Sequence, residues 1–187
     1  MKILFYVILL LLIINSDFYA QISLPENVPI NISENLTKVN VKYINYNNEV
    51  KEGYLIVDKK LATEIKEIFN LLLKNKFPIN KIMPLENYDW DDTKSMNDNN
   101  TSAFNYRFNK NTKGILSLHA YGRAIDINPF DNPLVIKGKN KPHNSIYNIN
   151  KKGTIHKDSY IVKIFKKFGW RWGGEFKKVK DYQHFEK

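Results

Sequence analysis

The sequence predicts an α+β domain with an antiparallel sheet and packed helices. Three observations predict it. Val39 to Tyr46 alternates as a strand, Asn47-Asn48 signals a turn, and Tyr54 to Val57 returns as the second strand of a hairpin, with Glu49 to Gly53 able to extend it. Lys60 to Asn75 then places Leu61, Ile65, Ile68 and Leu72 at helical steps. Late in the chain both periods recur: Ala124 to Asn128 alternates, and Ile161, Ile164, Phe165 and Phe168 form one helix face. No internal repeat and no second domain is visible.

The length of 187 residues suits one domain with a sizeable core, and 43% hydrophobic with 13% aromatic residues excludes a disordered chain. The absence of cysteine excludes disulfides, thiolate metal sites, a cysteine nucleophile and lipid attachment through an N-terminal cysteine. Lys and Arg total 29 against 19 Asp and Glu, a formal net charge of +10, so long-range attraction to an anionic partner is expected. The lysines are dispersed, with no arginine-rich helix and no aromatic-interleaved basic repeat. This favours an acidic matrix over nucleic acid.

In chain order, Met1-Lys2 precedes the unbroken apolar run Ile3 to Ile14. At ~1.5 Å per residue that run spans about 18 Å, short of the roughly 30 Å membrane core, so residues 1–20 read as a secretory signal peptide. Phe18 stands where a small residue is expected before a cut at Ala20, so an uncleaved N-terminal anchor is the alternative. Residues 21–38, with Pro25 and Pro29, read as a linker or N-terminal arm, and 39–187 as the folded domain. Phe77-Pro78 ends the first helix, and Ile79 to Leu85 suits a short strand. Asn87 to Asn100 reads as a long acidic loop. Its Asp89, Asp91, Asp92 and Asp98 lack the spacing and glycine of a calcium loop. Thr101 to Phe108 returns to the fold and delivers Arg107. Phe130 to Thr154 reads as a long surface loop. Asp158 is the expected cap of the last helix, Gly169 its stop, and Trp170 to Gly174 a strand start followed by a glycine turn. His143 and His156 read as surface residues.

The chemistry concentrates in Ser117 to Pro129. Ile125 and Ile127 anchor a strand whose other face carries Asp126, and Gly122 permits a tight turn or close backbone approach between His119 and that strand. An imidazole and a carboxylate aimed at one point supply part of a zinc site, and His184 is the candidate third ligand. A set of two histidines and a carboxylate is the ligand chemistry of catalytic rather than structural zinc, leaving a position for water. Asp181 is the candidate base that collects a proton from that water. Its three-residue separation from His184 requires a bend, bulge or turn, because in an ideal strand the two would face opposite ways. Glu186 shares the parity of His184 and is the second candidate base.

Ser117-x-His119-x-x-Gly122-x-Ala124-x-Asp126-Ile127-Asn128, then Trp170-x-Trp172-Gly173-Gly174, then Asp181-x-x-His184-Phe185-Glu186 resemble the M15 metallopeptidases. These are the D-alanyl-D-alanine carboxypeptidases, D-Ala-D-Ala dipeptidases and L-alanyl-D-glutamate endopeptidases that cut peptidoglycan stem peptides. The resemblance runs from Val39 to the C-terminus. It implies the small α+β fold shared with the Hedgehog N-terminal signalling domain. It implies Zn2+ held by His119, Asp126 and His184, with Asp181 as general base where several members carry Glu. Tyr106-Arg107 matches a family Tyr-Arg pair, which implies Arg107 steadying the oxyanion that develops on the scissile carbonyl. Tyr106 is placed with Arg107 to meet substrate. Ser117, two before His119, is placed to hydrogen-bond substrate backbone or else serves a turn. Trp170 and Trp172 share one strand face, where Trp172 can wall the site while at least one of the two packs in the core. Asn128 orients a ligand carboxylate from behind or serves a turn at the strand end. Gly173-Gly174 is read as serving backbone geometry only. The implied protein is an exported monomeric hydrolase of the cell envelope, acting on peptidoglycan peptides and drawn to an anionic wall. It binds no nucleic acid and meets membrane only through an uncleaved N-terminal segment. The choice between carboxypeptidase and endopeptidase stays open. A non-catalytic, metal-containing wall-binding module of the same fold is the competing reading.

Overall fold

The computed structural model describes residues 22–109 and 112–187; the signal segment predicted over 1–20 lies outside the described residues. The first hairpin forms where alternation predicts it. Strand β1, Leu36–Ile44, pairs antiparallel with β2, Val50–Asp58. Its turn is set by Asn45, whose Oδ1 accepts from the amides of Asn47 and Glu49, and by Asn48 in the left-handed region at φ 62. Strand β1 begins ahead of Val39. Part of the 21–38 arm is thus built into the fold, as a helical turn α1, Ile30–Ser33, and the first rungs of β1. Ile32 and Leu36 pack with Ile56 and Phe104 in a small second cluster, which Ile22, Leu24 and Val28 join.

Helix α2, Ala62–Lys74, follows a single turn of tighter helix at Lys59–Leu61 capped by the Asp58 side chain. Its predicted apolar stripe is the buried one: Leu61, Ile65, Ile68 and Leu72 lie in the main core, and the helix packs on β1. Helix α3, Asp92–Asn97, and β4, Asn100–Thr101, replace most of the acidic loop expected over 87–100, and β4 pairs parallel with β3, Lys81–Ile82. The aspartates are spent locally. Asp91 caps α3 by accepting from the amides of Thr93 and Lys94, and Asp98 accepts from Lys81 Nζ and Tyr88 OH.

Strand β5, Ala124–Asp126, forms over the first three of the five residues expected to alternate, and the chain has left the strand by Asn128 at φ 47. Strand β5 pairs with β10, His184–Glu186, which pairs on its other side with β8, Arg171–Trp172. The Phe130 to Thr154 segment is not an unstructured loop: Leu134–Ile136 (β6) and Lys139–Lys141 (β7) form a hairpin, and β6 also pairs with β9, Lys180–Asp181. Helix α4, Tyr160–Lys167, starts after Ser159 rather than at a cap by Asp158, whose carboxylate pairs with Lys157. Gly169 ends it at φ 81. Ile161, Ile164 and Phe165 are buried, and Phe165 stacks on Phe185 of β10 at 4.0 Å between ring centres. Truncating a ring buried like Phe185 costs about 3–5 kcal/mol. The β5–β10 pair is therefore a rigid platform clamped from below by α4.

Candidate active site

Asp126 and His184 are directly opposite each other in the antiparallel pairing of β5 with β10. Their neighbours in register, Ile125 and Phe185, are fully buried on the core side, so Asp126 and His184 emerge together on the other side. His119 arrives from a single tight helical turn, Leu118–Tyr121, capped by Ser117, whose Oγ accepts from the His119 amide at 3.4 Å. Gly122 closes that turn at φ 65, and a Cβ there would lie 2.6 Å from the Asp58 amide nitrogen. Both roles foreseen for this glycine, the turn and the close approach, are present. Segment Ser102 to Asn105 ties the parts together. Ser102 exchanges both backbone hydrogen bonds with Asp126, the Asn105 amide donates to the His119 carbonyl, and the Ala103 carbonyl meets the His119 ring.

The outer nitrogens of both imidazoles are committed. His119 Nδ1–H donates to the Ala103 carbonyl at 2.6 Å, and His184 Nε2–H donates to Glu186 Oε2 at 3.1 Å. This fixes both tautomers and leaves His119 Nε2 and His184 Nδ1 as inward lone pairs. Those two nitrogens are 3.2 Å apart; His184 Nδ1 is 2.9 Å from Asp126 Oδ1 and His119 Nε2 is 3.2 Å from Asp126 Oδ2. Three acceptors facing one point in a buried site repel unless a positive charge stands among them. With candidate ligand atoms all within 4.8 Å of one another, the set fits a metal ion.

In the metal-free chain a proton supplies that charge. Burial works against a charged His184, but hydrogen bonds to Asp126 and Glu186 outweigh it and raise the imidazolium to about 10. Burial likewise opposes ionised Asp126, and the two imidazoles beside it win, holding its carboxyl far below the usual range. The carboxyl of Glu186 is lowered first by its hydrogen bond from His184. Glu186, the second candidate base, thus lies behind His184. Its other oxygen takes Arg171, and its role here is to orient His184.

Asp181 ends β9, and Tyr182-Gln183 turns the chain into β10, which is the turn the three-residue spacing requires. Its carboxyl is pushed up to about 6, chiefly by burial, and its Oδ1 is buried without a hydrogen-bond partner. Glycine is needed beneath it, because a Cβ on Gly173 would lie 2.5 Å from the Asp181 carbonyl oxygen and 3.2 Å from His184 Cβ. Gly173 thus keeps β8 close under both Asp181 and His184.

These groups line a cleft of about 420 Å³ that also takes in Arg107, Ser117, Leu134, Lys141, Gln183 and Glu186. The backbone of Arg107 is coupled to the histidine turn, since the Ser117 amide donates to the Arg107 carbonyl at 3.0 Å. Its guanidinium Nε is 3.7 Å from Asp92 Oδ2, a carboxylate that sequence reading assigned to a solvated loop. Other predicted site residues lie elsewhere. Tyr106 packs in the second apolar cluster with Phe104 and Leu36, away from the cleft lining. Trp172 is 3% exposed in the main core, its indole N–H donating to the Tyr182 carbonyl at 2.9 Å, so it supports the base turn from behind instead of walling the cleft. Asn128 orients no ligand. Its Oδ1 accepts from the Asn80 amide, and its Nδ2 donates to the carbonyls of Pro78 and Gly153, which pins loops together. His143 is exposed, and His156 is half-buried with its amide donating to Ser159 at the entrance of α4.

Sequence reading did not single out Ala103, Asp92 or Gln183, and it reached Lys141 only as one of the lysines of the 130–154 segment. A backbone carbonyl leaves no sequence signal, Asp92 sits in a helix that the acidic composition hid, Gln183 lies in a turn, and Lys141 is placed by a short hairpin.

Among known proteins, residues 110–187 match the family model described as D-alanyl-D-alanine carboxypeptidase. No curated protein and no solved structure matches the chain. The matched span contains His119, Asp126, Asp181 and His184, while Arg107 precedes it. Over residues 110–187 the chain is thus similar to the M15 peptidases, and the match supports membership of that family.

Proposed function

We propose that this chain is a zinc-dependent hydrolase of amide bonds in peptidoglycan stem peptides, exported to the cell envelope. The observation that carries the reading is the convergence of His119 Nε2, Asp126 and His184 Nδ1, with the outer nitrogen of each ring tied to a fixed acceptor. That arrangement suits a metal, and a base and a cation stand in the same cleft. A wall-binding module of the Hedgehog-like kind, the competing reading, has no need of Asp181 held buried with a raised pKa.

When bound to these ligands, Zn2+ supplies Lewis acidity toward the scissile carbonyl and the attacking water. The rest of the chemistry belongs to the chain. Asp181, ionised at neutral pH, accepts the proton that the water loses on attack. The protonated carboxyl then returns it to the nitrogen of the leaving amine, so the proton balance closes on one residue. Arg107, which lines the same cleft, offsets the charge that develops on the carbonyl oxygen. Glu186 and the Ala103 carbonyl hold the two imidazoles in the tautomers the reaction needs. The net charge of +10 favours approach to an anionic wall.

The test is incubation of the chain from Gln21 onward with purified stem peptides, with and without a chelator, the products read by mass spectrometry. Chelator-sensitive release of a terminal D-alanine identifies a carboxypeptidase. Cleavage after L-alanine identifies an endopeptidase. Stoichiometric metal without any cleavage would favour the wall-binding module.

A further inference from the structure

We infer that Lys141 forms an anion subsite on the rim of the cleft, taking a peptide carboxylate two to three residues from the scissile bond. The inference rests on the hydrolytic reading and deepens it to a substrate class.

The pairing of β7, β6 and β9 places Lys141 opposite Leu134, and Leu134 opposite Asp181. Residues directly opposite in antiparallel strands project to one face, and all three line the cleft. The rung therefore runs from base to leucine to ammonium. Two strand spacings set Lys141 about 10 Å from Asp181, backbone to backbone. A peptide laid along this rung covers that distance with about three residues at roughly 3.3–3.6 Å each. One of its residues would rest over Leu134.

The cleft's arginines have other tasks: Arg107 faces Asp92 and is assigned to the reacting carbonyl, and Arg171 pairs with Glu186. Among the described residues, Lys141 is the cation lining the cleft for which no ion pair or side-chain hydrogen bond is found. Its ammonium is thus available to an incoming anion. The leaving residue of a D,D-carboxypeptidase carries its carboxylate only one residue from the cut, about 3.8 Å along the backbone. The distance to Lys141 instead suits a peptide cut some residues inside its anionic end.

The probe is L-alanyl-γ-D-isoglutaminyl-L-lysyl-D-alanine, whose one carboxylate is C-terminal, against the same peptide with a C-terminal amide. Equilibrium binding is measured on metal-loaded Asp181→Asn, which removes the proposed base, and on the same protein also carrying Lys141→Met or Lys141→Arg. With Lys141 present the acid should bind about three- to fivefold tighter than the amide, as one exposed ion pair allows. The preference should shrink in high salt, vanish with Lys141→Met and persist with Lys141→Arg. Equal binding of acid and amide with Lys141 present, or a preference that survives Lys141→Met, overturns the subsite. Turnover by the parent chain is scored separately. A Lys141-dependent acid preference without any turnover keeps the subsite and removes the hydrolytic reading.

Discussion

His184 stands directly opposite Asp126 across two strands, with its Nδ1 2.9 Å from Asp126 Oδ1. The same imidazole donates from its other nitrogen to Glu186, so its inward nitrogen is presented to whatever positive charge the site holds. Near pH 7 in the metal-free chain that charge is a proton, because the imidazolium is held to about 10. Metal loading must displace it. Calorimetric titration of the metal-free chain with zinc, in buffers of different ionisation enthalpy, should report release of about one proton per ion near pH 7. Release near zero would mean that His184 does not ligate through this nitrogen.

The raised pKa of Asp181 makes a statement about stability as well as catalysis. Its carboxyl moves from the ordinary 3.8 to about 6 on folding, so the folded chain holds this proton more tightly than the unfolded one. The contribution is fully present below 3.8 and is lost as pH rises through about 6. The loss approaches about 3 kcal/mol above that window. Metal-free Asp181→Asn should accordingly be more stable than the parent at pH 8, by up to that amount, and should lose this advantage toward pH 3. In the metal-loaded enzyme the same substitution should cut turnover by about 10²–10⁴-fold. Denaturant melts at the two pH values and a rate measurement check both halves.

Gly173 offers a substitution that disturbs the chemistry without touching a polar group. An added methyl at Gly173→Ala would meet the Asp181 carbonyl oxygen at 2.5 Å and Asp181 Cβ at 2.8 Å. Strand β9 must shift, and a displacement of about 1 Å at a reacting group costs on the order of 10²-fold in rate. The expected result is a large fall in kcat, with a stability loss of about 1–3 kcal/mol from overpacking. Near-parental kcat would mean that Asp181 need not hold its present position.

Trp172 separates a supporting role from a substrate-binding one. Trp172→Phe keeps most of the packing but removes the donor to the Tyr182 carbonyl. Stability should fall by about 1–3 kcal/mol while KM changes little. A KM effect with unchanged stability would return Trp172 to the cleft wall.

The parts of this molecule that local chemistry determines were legible in the sequence. The Asn47-Asn48 turn, the Leu61–Leu72 stripe and the Ile125/Ile127 alternation each depend on neighbours a few residues away, and each forms where the pattern places it. The clustering of His119, Asp126 and His184 followed from strand parity plus the resemblance to a known motif. What stayed hidden depends on remote pairing. Strands β6, β7 and β9 are two or three residues long, too short for a period to show, and β6 finds β9 across the whole of α4. Polar residues misled for a related reason. Asp91 and Asp98 looked like a solvated loop but serve as a helix cap and a clamp on Lys81 and Tyr88. Tyr106 follows the chain inward while its neighbour Arg107 faces the cleft, a choice decided by the apolar cluster around Phe104.

The central claim is that the convergent acceptors of His119, Asp126 and His184 hold a metal that turnover requires. The most direct test is to strip the chain with a chelator, remove the chelator, and add zinc back in fractions of an equivalent while following stem-peptide cleavage. Turnover should be abolished in the stripped chain, rise in proportion to zinc and level off at about one ion per chain. His184→Ala should show no such recovery. Cleavage that persists in the stripped chain, or that returns equally well with His184→Ala, would contradict the claim.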